Sequence, residues 1–406
     1  MTRYHARELT TRLKVAMKRL PVVVVSGLRQ SGKSTLLQNE RNFVSGHDYQ
    51  TFDDFSTLAA AKQFPESLIE KPVILDEVQR CPEILLTLKK HIDVTRDPGK
   101  FILSGSANLA LIGHVTESLA GRAGYYVLHP MTRRECSGNV QEEPFLTRFL
   151  KHPALPSDTF EPVQASEILR GGLPPACLGS DEGLGEWFRG YVQTYVERDV
   201  RQMSRITDLV SFQMLAKLAA MRTSQVLVQS TLARDAKLKA ATAKRYLDLL
   251  ETSFLIRKLP PYLGNRTSRL VKSPKLHFTD SGLAAHMAGM THFEPGADAL
   301  LRGALFETYV GQNLSALLEA HQPEATMSYW HEQGRHEVDM VIESGKKVLA
   351  IEVKAASRWS DKDLASLRVF LDRTPQCIAA VLAYNGEKPA QLGERLFCIP
   401  MGLLLS

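Results

Sequence analysis

The sequence predicts a multidomain α/β protein, and three observations predict it. Short apolar runs alternate with helical patterns over the first 130 residues, a glycine-rich stretch at 27–34 joins one such run to a helix, and two further strand-like runs surround Val338 and Val348. Alternation of this kind builds a parallel sheet covered by helices. At 406 residues the chain exceeds what one core normally organises, so two or three domains are expected.

Each element follows in order. Val22–Ser26, Val73–Leu75 and Phe101–Ser104 are strand-sized apolar runs with amphipathic segments between them. From Cys136 to Gln164 the pattern breaks among Pro144, Pro153, Pro156 and Pro162, which predicts a linker or extended connection. Residues 186 to about 220 have a helical pattern, with Trp187, Tyr191, Tyr195, Val196 and Val200 spaced for one buried stripe. A short basic region runs from 222 to 275. A helix at about 301–320, two strands and another helix complete the chain. The expected partition is 1–135, 136–221, 222–275 and 276–406.

Composition narrows the class. With 44% hydrophobic and 23% charged residues the chain is expected to fold rather than stay disordered. No stretch approaches the roughly 18–20 consecutive apolar residues of a membrane span, so no membrane partner is expected. The basic N-terminal residues Arg3, Arg7, Arg12, Lys14, Lys18 and Arg19 adjoin no apolar segment of a secretion signal. Cys81, Cys136, Cys177, Cys377 and Cys398 are too scattered for a disulfide framework or a zinc site. Reduced thiols in the cytoplasm are the expectation. A net charge of +6 is compatible with a polyanionic partner.

The strongest motif is Gly27-Leu28-Arg29-Gln30-Ser31-Gly32-Lys33-Ser34, a complete G-x-x-x-x-G-K-[ST] phosphate loop. It follows a strand and opens a helix through Thr35, Leu36 and Leu37. Glycines let successive amides face the phosphates, and the helix start adds a favourable dipole. Lys33 supplies a point charge for the β- and γ-phosphates of ATP, and the Ser34 hydroxyl suits Mg²⁺.

Downstream, Val73-Ile74-Leu75-Asp76-Glu77 delivers two carboxylates to a strand end. Asp76 is expected to hold the shell of Mg²⁺. Glu77 is expected to polarise an attacking water, which favours hydrolysis over transfer to a small molecule. At the next strand end, Ser104 or Ser106 either senses the γ-phosphate and places water or simply caps a helix near Ala107–Leu111. Arg122 is a candidate finger toward a nucleotide on a neighbouring copy, which would make the protein a homo-oligomer; a surface arginine is the alternative.

These residues, with Leu103-Ser104-Gly105-Ser106 and Leu119-Ala120-Gly121-Arg122, resemble the AAA-type ATPase module of a large bacterial and archaeal family. That family joins the ATPase to a C-terminal domain of unknown function. The resemblance continues through Tyr195-Val196-Glu197-Arg198-Asp199-Val200 and through 272–283. The later motifs imply architecture and carry no assigned chemistry.

Between Arg222 and Lys275 there are 12 Lys and Arg against Asp235, Asp248 and Glu251, a local net of +9; the rest of the chain therefore sums to −3. Val226–Ala236, Ala240–Leu250 and Phe254–Leu259 have helix, helix and strand patterns. The arrangement resembles a winged helix-turn-helix whose second helix enters a DNA groove. Thr242, Lys244 and Arg245 are then the expected DNA contacts. The alternative is a packing module with a solvated basic face.

Near the C-terminus, 337–342 and 348–354 form a predicted hairpin that places Glu352 and Lys354 on one face, with Asp339 opposite. Two carboxylates beside an ammonium suit Mg²⁺ or Mn²⁺. The spacing Asp339-x12-Glu352-x-Lys354 resembles the restriction-endonuclease-like fold, and Glu307 occupies the place of that fold's upstream glutamate. Alternating charge on a half-exposed hairpin needs no metal and is the plainer alternative. His331 and His336 are expected to be ordinary surface residues.

The expectation is a P-loop ATPase domain followed by a helical and winged-helix region and a restriction-endonuclease-like domain. Its cofactors would be ATP and Mg²⁺, with Mn²⁺ an option at the second site. DNA is the expected partner and nuclease activity stays open. The rival is a nucleotide-dependent switch or scaffold with an inactive nuclease-like fold that binds proteins.

Overall fold

A computed structural model describes residues 4–106, 119–195, 208–263, 272–293, 298–332 and 335–406. The helix expected near Ala107–Leu111 and the motif residues 196–200 lie outside the described residues. The chain divides into two compact units, one built on 1–130 and the other on 131–406, apart from two short segments of the later chain, 252–254 and 319–321, that group with the first.

In the first unit, β1 (Val22–Ser26), β2 (Asp48–Thr51), β3 (Val73–Asp76), β4 (Phe101–Gly105) and β5 (Ala123–Val127) form a parallel sheet in the order β2-β3-β4-β1-β5. Strand alternation splits its side chains between two cores. Val22, Val24, Val73, Leu75, Phe101 and Leu103 meet Ile84, Leu88 and Ile92 of the helix Ile84–Thr95 on one face. Val23, Val25, Ile74 and Ile102 meet Leu13, Leu36 and Leu37 on the other. Burial on both faces explains why these strands are unbroken Val, Ile and Leu runs. It also fixes the position of the phosphate loop at the C-terminal edge, where β1 ends.

The second unit contains a helical stretch and a mixed sheet. The helix Gln229–Asp235, a turn and the helix Ala240–Thr252 come first. They are flanked by the antiparallel strands β6 (Gln225–Val226), β7 (Ile256–Leu259) and β8 (Lys275–Phe278), in the order β6-β8-β7. Tyr246, Leu247 and Leu250 face inward as their spacing predicts.

The larger sheet holds β9 (Thr326–Glu332), β10 (His336–Ser344), β11 (Lys347–Lys354), β12 (Cys377–Tyr384), β13 (Ala390–Gln391) and β14 (Leu396–Pro400), in the order β13-β14-β12-β11-β10-β9 among the described residues. The predicted hairpin is β10–β11, turned at Gly345, whose φ of +61° suits glycine. The helix Ala365–Arg373 crosses from β11 to the parallel strand β12 and buries Leu367 and Phe370. The stretch expected as linker contains the helix Phe145–Lys151, whose Phe149 packs edge-on against Phe397 with ring centroids 5.3 Å apart. Its proline-rich flanks hid a short buried helix.

One buried joint explains part of the 272–283 motif. Asp280 caps the helix Ser281–Ala288 through Leu283 N–H at 2.8 Å, and its other oxygen accepts Gly172 N–H at 2.7 Å. A Cβ on Gly171 would stand 2.4 Å from the same carboxylate, and φ there is +68°. Ser281 donates to the Ile168 carbonyl at 2.8 Å. These residues hold a turn against a helix. No helix among the described residues is long and apolar enough to cross a membrane, and all five cysteines are free thiols.

Candidate functional site

In the first unit, the loop after β1 curls through positive φ at Gly27, Gln30 and Gly32 and enters the helix Lys33–Asn39. A side chain on Gly27 would meet the Leu128 carbonyl at 2.3 Å, so glycine is a steric requirement there. Lys33 is buried, with Nζ donating to the carbonyls of Gly27 at 2.9 Å and Leu28 at 3.0 Å. The ammonium is thereby held over the loop. Ser31 Oγ is buried and has no hydrogen-bond partner among the described residues. Leaving such an atom unserved costs about 1–3 kcal/mol, which fits a site shaped for a polar ligand. Arg29 is half-buried, while Gln30 and Thr35 are exposed along the same turn.

Asp76 is the hub of the site. Its Oδ2 accepts from Ser34 Oγ at 2.7 Å and from Tyr49 Oη at 2.5 Å; its Oδ1 accepts from Ser104 Oγ and from the Glu77 amide at 3.0 Å. Burial first, and the Asp76 carboxylate next, hold the Tyr49 phenol well above its usual range, so it stays a donor. A hydroxyl from the start of the helix Lys33–Asn39 and a carboxylate from the end of β3, adjacent beside the loop, are oxygen donors of the kind Mg²⁺ prefers.

Glu77 adopts the left-handed conformation (φ +57°, ψ +43°), uncommon for a residue with a side chain. The turn sets its carboxylate beside Ser106 Oγ, 3.2 Å away, and Gln79 Nε2. Gln79 also donates to Ser106 at 3.2 Å. Of the two candidate serines, Ser106 stands with Glu77 and Ser104 with Asp76. Arg122 is anchored to Asp93 at 2.6 Å and to the Ala120 carbonyl at 2.9 Å.

Three contributors were not legible as site residues. Tyr49 comes from β2, an edge strand with no apolar run. Gln79 has only its nearness to Glu77 as a signal. Arg7 reads as one of several N-terminal cations, yet it is buried and donates to the carbonyls of Ser31 and His129, each at 2.7 Å.

In the second unit, the structure redistributes the basic region. Arg222 pairs with Asp235, and Lys258 bonds Asp248 and Glu251 at 2.8 Å each, so these two cations use the local acids. Lys275 is 1% exposed and Arg257 bonds Ser315. Lys275 is thus withdrawn from any basic surface and the half-buried Arg257 partly so, and less charge reaches solvent than the count of +9 along the sequence. Lys237, Lys239, Lys244 and Arg245 remain exposed along the turn and the second helix, with Thr242 half-buried among them, while Arg234, exposed on the first helix, shares Asp235 at 3.3 Å. Arg245 also lies over the Tyr246 ring, 5.5 Å from its centroid.

The C-terminal carboxylates converge as the hairpin predicts, but around a lysine. Nζ of Lys275 lies 2.6 Å from Glu337 Oε1, 2.7 Å from Glu307 Oε1 and 2.9 Å from Asp339 Oδ1. Burial alone would lower this ammonium; the charges of Asp339, Glu307 and Glu337 outweigh it and hold it well above its usual range. Burial pushes Glu307 up, and burial with the charge of Asp339 pushes Glu352 up to about 8. His277, 3.3 Å from Glu307, is held neutral by burial and then by Lys275 and Arg257. Among the described residues no group of three or more His, Cys, Asp and Glu side chains is arranged to hold a metal ion.

Family comparisons agree with the loop and the sheet around it. Residues 19–137 match the AAA domain family. The N-terminal unit carries an AAA domain. Residues 164–294 and 302–404 match two domains of unknown function, DUF8612 and DUF4143. The AAA assignment implies nucleotide binding in general. The chain is 28% identical to an uncharacterized protein of Mycobacterium tuberculosis, over 98% of this chain and 84% of that one. It is 24% identical to an uncharacterized protein of Haemophilus influenzae, over 66% and 69%. Among solved structures, a signal-transduction ATPase with a tetratricopeptide repeat sensor from Pyrococcus horikoshii aligns at 12% identity and a TM-score of 0.27. That alignment covers 79% of this chain and 47% of the other, so this chain spans under half of that protein. A Vibrio cholerae protein aligns at 13% identity and a TM-score of 0.20, over 95% of each chain.

Proposed function

We propose that the AAA domain binds and hydrolyses Mg²⁺-ATP and that its nucleotide state governs how the second unit engages DNA. One observation supports the first part above all. Lys33, the Ser34–Asp76 pair and the Glu77–Ser106–Gln79 group belong to three consecutive motifs placed along one edge of one sheet. Lys33 and the 27–35 backbone bind the triphosphate. Ser34 and Asp76 would hold Mg²⁺, which when bound offsets phosphate charge. Glu77 takes the proton of the attacking water, held in place by Ser106 and Gln79, while ADP leaves.

The second part rests on the exposed cations left after local pairing. The helices Gln229–Asp235 and Ala240–Thr252 with β6, β7 and β8 are read as a winged helix, and the mixed sheet as a restriction-endonuclease-like core. Lys237, Lys239, Lys244 and Arg245 then contact phosphates.

The direct test is phosphate release from Mg²⁺-ATP with and without duplex DNA, alongside DNA binding at several salt concentrations. Release without any acceptor, raised by duplex, is expected. With about four phosphate contacts, affinity should fall on the order of a hundredfold between 50 and 200 mM salt. Exchanging Lys244 and Arg245 together for glutamate should weaken binding at least about tenfold and flatten that salt dependence. Salt-independent binding, or none, would favour the rival scaffold that binds protein alone.

A further inference from the structure

The carboxylates that the sequence offers to a divalent ion are already engaged. Asp339 gives Oδ1 to Lys275 at 2.9 Å and Oδ2 to the Val353 amide at 2.9 Å. Glu307 and Glu337 each turn Oε1 to the same ammonium. Glu352 faces Lys354 at 3.1 Å through Oε1, and its Oε2 is buried without a hydrogen-bond partner among the described residues. Mg²⁺ or Mn²⁺ seeks about six oxygen ligands in a regular array, and the point on which three of these carboxylates converge is taken by the ammonium.

The ammonium matches the cage it sits in. Lysine carries three N–H donors and no acceptor. Three carboxylate oxygens stand within 2.6–2.9 Å of Nζ, one of them, Asp339 Oδ1, accepting a hydrogen bond, so the ammonium is matched by as many anionic neighbours as it has N–H groups. A lone buried ammonium would be strongly disfavoured, and so would the buried carboxylates of Glu307 and Asp339 without a cation, while Glu337 completes the set from a part-exposed position. Each therefore requires the other. The lysine comes from β8, which pairs with β6 and β7, whereas its partners come from the helix Ala299–His321 and from β10. Lys275 thus ties the small sheet of the helix-turn-helix to the larger sheet within one unit.

We propose that Lys275 is the resident cation of this carboxylate cluster, occupying the place a divalent metal would need and closing the site to metal-dependent phosphodiester cleavage. The cluster then acts as a cross-brace, and removing the ammonium uncovers a latent metal site. This inference is independent of ATP chemistry in the first unit.

The test is a Mn²⁺ titration of the full, chelator-treated chain without nucleotide, with free Mn²⁺ read by electron paramagnetic resonance. Wild type and the Glu352→Gln and Asp339→Asn variants should take up the same amount of Mn²⁺. Lys275→Ala should gain about one ion per chain, and adding Asp339→Asn to it should remove that gain. Lys275→Ala should also melt lower in chelator and recover with Mn²⁺. Wild-type Mn²⁺ binding that is lost on Glu352→Gln would overturn the proposal, and this arm leaves Lys275 untouched. A folded Lys275→Ala chain that gains no ion would overturn it as well.

Discussion

Glu77→Gln is expected to keep Mg²⁺-ATP affinity within about threefold of the parent while slowing phosphate release on the order of a hundredfold or more. Glutamine preserves the size of the side chain and its contact with Ser106, but it cannot take a proton. Lys33→Ala should behave differently. It removes the charge held over the loop by the Gly27 and Leu28 carbonyls, so binding itself should weaken by at least about a hundredfold. Equilibrium binding of a fluorescent nucleotide and single-turnover phosphate release separate the two. Unchanged release in Glu77→Gln would remove that residue from the chemistry. Gln79→Ala should fall between parent and Glu77→Gln, because it loosens the carboxylate without removing it.

Asp280→Ala is expected to lower the stability of the second unit by about 3 kcal/mol. It leaves the buried Gly172 and Leu283 amides without acceptors and strips the cap from the helix Ser281–Ala288. The effect has a pH signature. Burial raises Asp280 from 3.8 to about 6, against the pull of its backbone hydrogen bonds. The folded chain therefore keeps a proton that the unfolded chain has released. This contribution is fully present below pH 4 and is lost as pH rises to about 6. The alanine variant lacks that loss, so the gap between parent and variant should narrow across this window. Melting of the second unit at pH 4.5, 5.5 and 7 checks both claims. A gap independent of pH would show that Asp280 is ionised throughout.

Much of the fold was legible because it depends on short-range pattern. The runs at 22–26, 73–76 and 101–105 are buried on both faces and are apolar until their last one or two residues, so they read as strands of a parallel sheet. The helix-turn-helix was legible from the spacing of Tyr246, Leu247 and Leu250. β12 was not. Its run Cys377–Tyr384 is apolar throughout, and periodicity cannot separate a buried strand of that kind from a piece of buried helix. β2 fails for the opposite reason, since Asp48–Thr51 is a half-exposed edge strand with no apolar face to read.

By itself, the sequence determined the phosphate loop, the strand ends carrying Asp76 and Glu77, and the hairpin that sets Asp339 against Glu352. Each of these follows from residues a few positions apart, or from strand alternation. Only the tertiary structure decided that Ser106 rather than Ser104 accompanies Glu77. It also decided that Tyr49 bonds Asp76, that Arg7 holds the Ser31 carbonyl of the glycine-rich loop, and that Lys275 sits among the carboxylates rather than on a basic surface. A charge counted along a chain has no direction. Lys275 and Asp339 lie 64 positions apart, and the cost of burying either one alone is what brings them together.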